Sequence, residues 1–183
     1  MDFGTTHRTV STVSDLHLFC RRSLAEAHLA AIDAAAARSD TFVLNGDIFD
    51  FRWSVYRSIP ETVRHAVAWL DRFSAEHAHC QIHYVLGNHD NVRLFVDALR
   101  VFAATRQNLT WHPYYVRLGP AVFLHGDVAH RPMTAADLAR ARQKCEGHRR
   151  RGEVLNRVWD TAFKAGVHKA IARAASPTHK VVE

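Results

Sequence analysis

Four times between residues 10 and 127 the chain repeats one device: a short apolar run stops abruptly at a cluster of Asp, Asn, His and Gly. Val10 to Ser14 leads into Asp15-Leu16-His17, and Thr41 to Asn45 into Gly46-Asp47-Ile48-Phe49-Asp50. Gln81 to Val85 leads into Leu86-Gly87-Asn88-His89-Asp90, and Ala121 to Leu124 into His125-Gly126-Asp127. Runs this short and this rich in Val, Leu, Ile and Phe read as buried strands. In an open α/β sheet the crevice at the carboxyl ends of the strands is where ligands bind, so four such ends can converge on one place. That place would gather Asp15, Asp47, Asp50, Asn88, His17, His89 and His125. Imidazole nitrogen and carboxylate oxygen are ligands for divalent transition metals.

The rest of the chain narrows the setting. A length of 183 residues with 48% apolar and 23% charged residues suits one domain with a real core and excludes disorder. The first residues lack a basic region followed by an apolar one, and no run reaches the roughly 18 apolar residues of a membrane helix. Cys20, Cys80 and Cys145 are widely spaced and odd in number, as reduced thiols are. A cytoplasmic protein is expected, with contact to the inner face of a membrane as an option. The net charge of +6 is uneven: residues 131–183 carry +7 and residues 1–130 carry −1. The dense part is His148-Arg149-Arg150-Arg151, followed by Arg157. Such a segment meets substrate phosphates, anionic lipid or nucleic acid, or is a solvated helix face.

Local signals predict alternation of strand and helix. Strands are expected at about Thr9 to Ser14, Thr41 to Asn45 and Gln81 to Leu86. Ser23 with Glu26 three residues on reads as a capping box opening a helix to about Ala37. Pro60-Glu61 suits a first helical turn, and Leu94, Phe95, Ala98, Leu99 and Phe102 have helical spacing within 91–104. After Asn108 the pattern changes to two adjacent strands, Leu109 to Leu118 and Ala121 to Leu124, joined by Gly119-Pro120 as a hairpin. Thr134-Ala135-Ala136-Asp137 begins a further helix, and another is expected from Glu153 to Ala174. The expected organisation is a core over 1–130 with a basic helical cap or insertion over 131–183. His77, His79, Cys80 and His83 form a dense patch that reads as surface or ordinary packing, because no second ligand pair is near in sequence. Phe51, Arg52 and Trp53 could line a pocket or pack on the next helix; Arg21 and Arg22, close behind His17, read as exposed.

Taken together, Asp15-Leu16-His17, Gly46-Asp47-Ile48-Phe49-Asp50, Gly87-Asn88-His89-Asp90 and His125-Gly126-Asp127 resemble the calcineurin-like metallophosphoesterases in order and spacing over residues 9–127. The resemblance implies an α/β fold in which two β-sheets pack as a sandwich flanked by helices, with two divalent metal ions at the strand ends. It implies that Asp15 and His17 bind the first metal, that Asp47 bridges both, and that Asn88 and His125 bind the second. His89 is implied as the catalytic histidine at the phosphoryl group, with Asp50 holding its ring. A pair of cations can activate water as hydroxide and neutralise an in-line phosphoryl transition state. Manganese is the favoured metal, with iron, zinc and cobalt as alternatives.

One departure stands out. The family pattern closes with G-H-x-H after another strand, and this sequence has no such motif: Gly147-His148-Arg149-Arg150 carries arginine at the second histidine, and Ser176-Pro177-Thr178-His179 follows no strand. The chain is therefore expected to be a truncated or naturally shortened member. The basic segment after His125, with Asp15-Leu16-His17-Leu18, is similar to the UDP-2,3-diacylglucosamine pyrophosphatases, which generally carry arginine where His89 stands. That similarity implies a phosphate-ester or pyrophosphate substrate linked to a lipid, met by Arg149, Arg150, Arg151 and Arg157. The competing readings are a nuclease or cyclic-nucleotide phosphodiesterase, for which the basic tail lacks aromatic interleaving, and an inactive phosphate-binding module. The oligomeric state is left open.

Overall fold

A computed structural model of the chain describes residues 9–128 and 133–166. Four strands, β1 (Val10–Val13), β2 (Thr41–Asn45), β3 (Gln81–Val85) and β4 (Leu109–His112), form one sheet in the order β1-β2-β3-β4. All three pairings are parallel, with Val10 opposite Thr41, Thr41 opposite Gln81 and Ile82 opposite Leu109. Between them run α1 (Leu29–Ala37), α2 (Ile59–Glu76) and α3 (Arg93–Ala104). Strands laid down in one direction by crossovers of one hand place their helices on one face of the sheet. The core follows that rule. Phe42, Leu44, Ile82 and Tyr84 alternate onto one face and pack with Ile32 and Ala36 of α1, Ala66, Leu70 and Phe73 of α2, and Phe95 and Leu99 of α3. Val43 and Val85, pointing the other way, meet Val116, Leu118 and Phe123.

Those last residues belong to an antiparallel hairpin of β5 (Tyr115–Leu118) and β6 (Ala121–Leu124). The hairpin is shorter than the sequence suggested. Leu109 to Leu118 is not one strand but two, and its first half completes the parallel sheet instead of pairing with Ala121 to Leu124. Pro113 lies at the break: without an N–H it cannot continue a ladder, and the chain leaves the sheet there. Burial also departs from expectation at two runs. Strand β1 is an edge strand with Val10 41% exposed, and Val122 of β6 is 52% exposed, so neither run is buried throughout.

Helix starts divide in the same way. Ser58 caps α2 by accepting the Glu61 N–H, with Pro60 in the first turn as expected. The Ser23–Glu26 capping box does not form. The Ser23 hydroxyl instead donates to the Leu16 carbonyl and accepts from Ala25 N–H, and a short 3-10 turn, Ala25–His28, precedes α1. Thr134 and Asp137 do form a reciprocal capping box at the start of α4 (Ala135–Glu146).

The chain divides into two compact units, Met1–Arg150 and Arg151–Glu183. The second contains α5 (Glu153–Lys164), shorter than the helix expected to Ala174. It stops at Ala165, and Gly166 follows in the left-handed region at φ 77°; residues 167–174 lie outside those described. Among the described residues no helix is long and apolar enough to cross a membrane.

Candidate metal centre

The first two polar loops continue the β1–β2 pairing past the ends of the strands. Asp15 N–H donates to Gly46 O at 3.0 Å, His17 N–H to Asp47 O at 2.9 Å, Leu18 N–H to Ile48 O at 2.8 Å, and Asp50 N–H back to Leu18 O at 3.0 Å. Within this narrow ribbon Asp15, His17 and Asp47 take φ values of 56°, 45° and 53°. A non-glycine residue in that region costs about 1–3 kcal/mol and persists only where its surroundings over-determine it. Here the cross-loop bonds do so; three of the four residues so held carry polar groups of the site, the fourth being Phe19 at 71°.

Two glycines let the loops close on each other. Gly46 is at φ 83°, and a Cβ there would run into the His125 ring. A Cβ on Gly87 would collide with the Asp47 carboxylate and its backbone nitrogen. Asp90, the last residue of the third cluster, ties the loops together from beneath. Its Oδ2 accepts from Tyr84 OH at 2.7 Å and from Ile48 N–H at 3.0 Å, and its Oδ1 accepts from Gly87 N–H at 2.6 Å. Burial and the nearby Asp47 charge hold the Asp90 carboxyl above the ordinary carboxylate range, against the pull of those three donors.

Asp47 is the hub. Its Oδ2 lies 3.3 Å from His125 Nε2 and 3.8 Å from His17 Nε2, while Oδ1 accepts His89 N–H at 2.8 Å. Asp50 sits behind two rings: its Oδ2 is 3.3 Å from His89 Nδ1 and 3.5 Å from His17 Nδ1, and its Oδ1 accepts from Arg52 and Trp53 N–H. With Nδ1 turned to Asp50, His17 presents Nε2 toward Asp47 and, at 4.0 Å, toward Asp15. The His17 and His89 rings meet edge to face at 4.7 Å. A cavity of about 480 Å³ opens beside Asp15, Asn88 and His125. All seven residues expected at the strand ends are thus brought together.

The carboxylates of the site are balanced by the imidazoles around them. Burial alone would raise Asp47 and Asp50, but the histidines outweigh it and both carboxyls are held below the usual range. Burial would likewise pull His125 down, yet Asp47, then Asp127 and Asp15, push it up to about 9. His89 is also raised, chiefly by Asp50. The His125–Asp47 contact therefore contributes stability that is fully present below the ordinary imidazole pKa of about 6.5 and is lost as pH rises through about 9.

The donor set fits two divalent cations. His17, Asp47 and His89 each offer a ligand atom within 4.8 Å of the others, and Asp15, Asp47 and His125 do the same. The two triads share Asp47. Hard carboxylate with borderline imidazole is a mixture suited to first-row divalent ions.

The model of the calcineurin-like phosphoesterase family matches residues 9–161. The chain belongs to this family. No curated protein matches the chain. Members of the family are metal-dependent phosphoesterases with a two-metal site, and both triads lie within the matched span.

Two residues bonded to the loops of this site stand apart from the sequence-based expectation. Asp90 was visible as part of a motif but carried no assigned role. Arg142 falls within the basic segment 131–183, yet its guanidinium is buried and bonded to the Leu86 and Gly87 carbonyls. The available signal was its spacing: Leu138, Ala141, Arg142 and Cys145 recur at helical intervals along one face of α4.

The four arginines expected at substrate divide between the two units. Neither Arg149 nor Arg150 lines the cavity. Arg151 and Arg157 belong to the second unit, where Arg157 Nε is 3.5 Å from Glu153 on its own helix. Phe51 is core, and Trp53 lies under Arg22, whose Cζ is 4.8 Å from the ring centroid. In the histidine patch, His77 is buried against Asp33, and His83 Nδ1 is 3.1 Å from His112 Nε2. Asp33, Glu76 and His77 also converge, with Glu76 facing Arg72.

Proposed function

We propose that the chain hydrolyses phosphate esters or pyrophosphates with two divalent cations, manganese first among them, held on either side of Asp47. The observation that carries this is the sharing of Asp47 by two donor triads, since one carboxylate has two oxygens to give to two ions. The family resemblance would put Asp15 and His17 on one side and Asn88 and His125 on the other, whereas the donor atoms as they stand group Asp15 with His125 and His17 with His89 around the shared Asp47. Two bound cations supply an activated water and neutralise charge in the phosphoryl transition state.

The remaining steps fall to the chain's own groups. The cavity admits a phosphoryl group against Asn88 and His125. His89 holds a proton at its ring, supported by Asp50, and delivers it to the leaving oxygen or hydrogen-bonds the phosphoryl group. The Asp50 carboxylate fixes the ring's orientation and stabilises its cationic form. Replacement of His89 by alanine is expected to lower kcat by about 10²- to 10⁴-fold while two cations remain bound. Parallel metal analysis and steady-state kinetics check this; loss of one cation would make His89 a ligand.

Metal uptake must displace the proton that His125 holds against Asp47. Manganese affinity is accordingly expected to rise with pH up to about 9, the range in which this imidazole deprotonates. A flat titration between pH 6.5 and 8.5 would remove His125 from the ligand set.

For the substrate, a UDP-linked acylated sugar is the first compound to test. Support comes from the Asp15-Leu16-His17-Leu18 cluster and from the basic segment beyond residue 130, which on this reading caps the site and meets pyrophosphate or an anionic membrane surface in the cytoplasm. Manganese-dependent release of p-nitrophenol from the bis-p-nitrophenyl ester of phosphate tests the reaction class. Substrate profiling against UDP-linked lipid, cyclic nucleotide and oligonucleotide then separates the specificities.

A further inference from the structure

Among the described residues Arg142 is the one buried arginine or lysine, at 4% exposure. A guanidinium taken out of water is costly unless its donors find acceptors of fixed geometry. Its acceptors come from two different loops. Nη1 donates to Gly87 O at 2.7 Å; Nη2 donates to Leu86 O at 2.8 Å and to Asp127 Oδ1 at 3.0 Å. The backbone carrying it is held in turn, because Asn91 Nδ2 donates to the Arg142 carbonyl at 2.9 Å.

The position of these acceptors gives the contact its meaning. Leu86 and Gly87 immediately precede Asn88 and His89, while Asp127 lies two residues beyond His125. A planar fork can hold both at once; a lysine ammonium on a flexible stem cannot span them. We infer that Arg142 is a positioning residue for the metal centre, fixing the Asn88 loop and the His125 loop at one separation. Helix α4 is then framework as well as wall, for the same docking sets Ala141 and Cys145 along the cavity. The inference rests on the proposed function only in taking Asn88 and His125 as ligands of one cation.

The test is an equilibrium titration of the full chain with Mn²⁺, beside thermal unfolding as the check on folding. In Arg142→Lys the cation on the Asn88–His125 side is expected to lose about 10- to 100-fold in affinity, the range seen when outer partners of a metal site are lost, with the other held within about twofold. Asp127→Ala, which spares both carbonyl bonds, should weaken the same cation by a smaller factor. Arg140→Ala, on the exposed side of α4 where Arg140 pairs with Asp137, should change neither. Should Arg142→Lys fold with both affinities intact, or lose both equally together with thermal stability, the residue is structural only and the inference is overturned. Should that variant not fold, Asp127→Ala decides on the same terms. A wild-type chain that takes up no Mn²⁺ would instead overturn the proposed function, and this inference with it.

Discussion

Asp47→Asn is expected to abolish manganese-dependent hydrolysis, with a fall of at least about 10³-fold, and to leave the chain unable to hold two cations. Loss of a single group that stabilises developing charge commonly costs 10²- to 10³-fold, and Asp47 belongs to both donor triads. The substitution keeps the side chain's size and one oxygen, so the His89 N–H retains an acceptor. What it removes is the negative charge, 3.3 Å from His125 Nε2 and 3.8 Å from His17 Nε2, that would offset the charge of two bound cations. It also removes the main cause of the raised His125 pKa. In the metal-free variant that imidazole should titrate nearer its ordinary range, a shift that NMR can follow alongside the activity.

Gly87→Ala should be the most damaging change of one methyl group. The added carbon would meet the Asp47 carboxylate and also the Asp47 backbone nitrogen, which cannot swing aside as a side chain can. Asp47 is itself pinned by the loop bonds at a positive φ, so it has no direction of easy retreat. Overpacking of this kind costs about 3 kcal/mol or more, a fall in Tm of roughly 6–12 °C for a chain of this size. The Gly87 N–H bond to Asp90 would be strained at the same time, and with it the placement of Asn88 and His89. Thermal unfolding and metal content together check this. A stable variant that binds two cations would mean the loop is far more pliant than its bonds imply.

The site was legible in the sequence because its parts sit at strand ends, where an apolar run gives way to residues that have no business in a core. Asp15, Asp47, Asn88 and His125 come from four segments, and parallel pairing alone carries the first three to one edge of the sheet. Periodicity found α2 and α3 for the same reason: their apolar faces are continuous and meet one core. What escaped was decided by contacts distant in sequence. Nothing local says that Ser23 will turn to the Leu16 carbonyl and leave its capping box unmade. Leu109 to Leu118 looks continuous in composition, and only the demand of β3 for a neighbour splits it at Pro113. Arg142 has the chemistry of a surface residue, and it is buried only because two loops present three oxygens to it from residues 15 to 56 positions away. Asp90 is hidden in another way: it stands in the motif beside His89 yet faces inward to Tyr84 and Ile48.

Anomalous X-ray scattering from a crystal of the manganese-loaded chain tests the central claim most directly. Two manganese peaks are expected, one on each side of the Asp47 carboxylate, with His17 and Asp15 on the first and Asn88 and His125 on the second. A single peak, or manganese bound away from Asp47, would contradict the account.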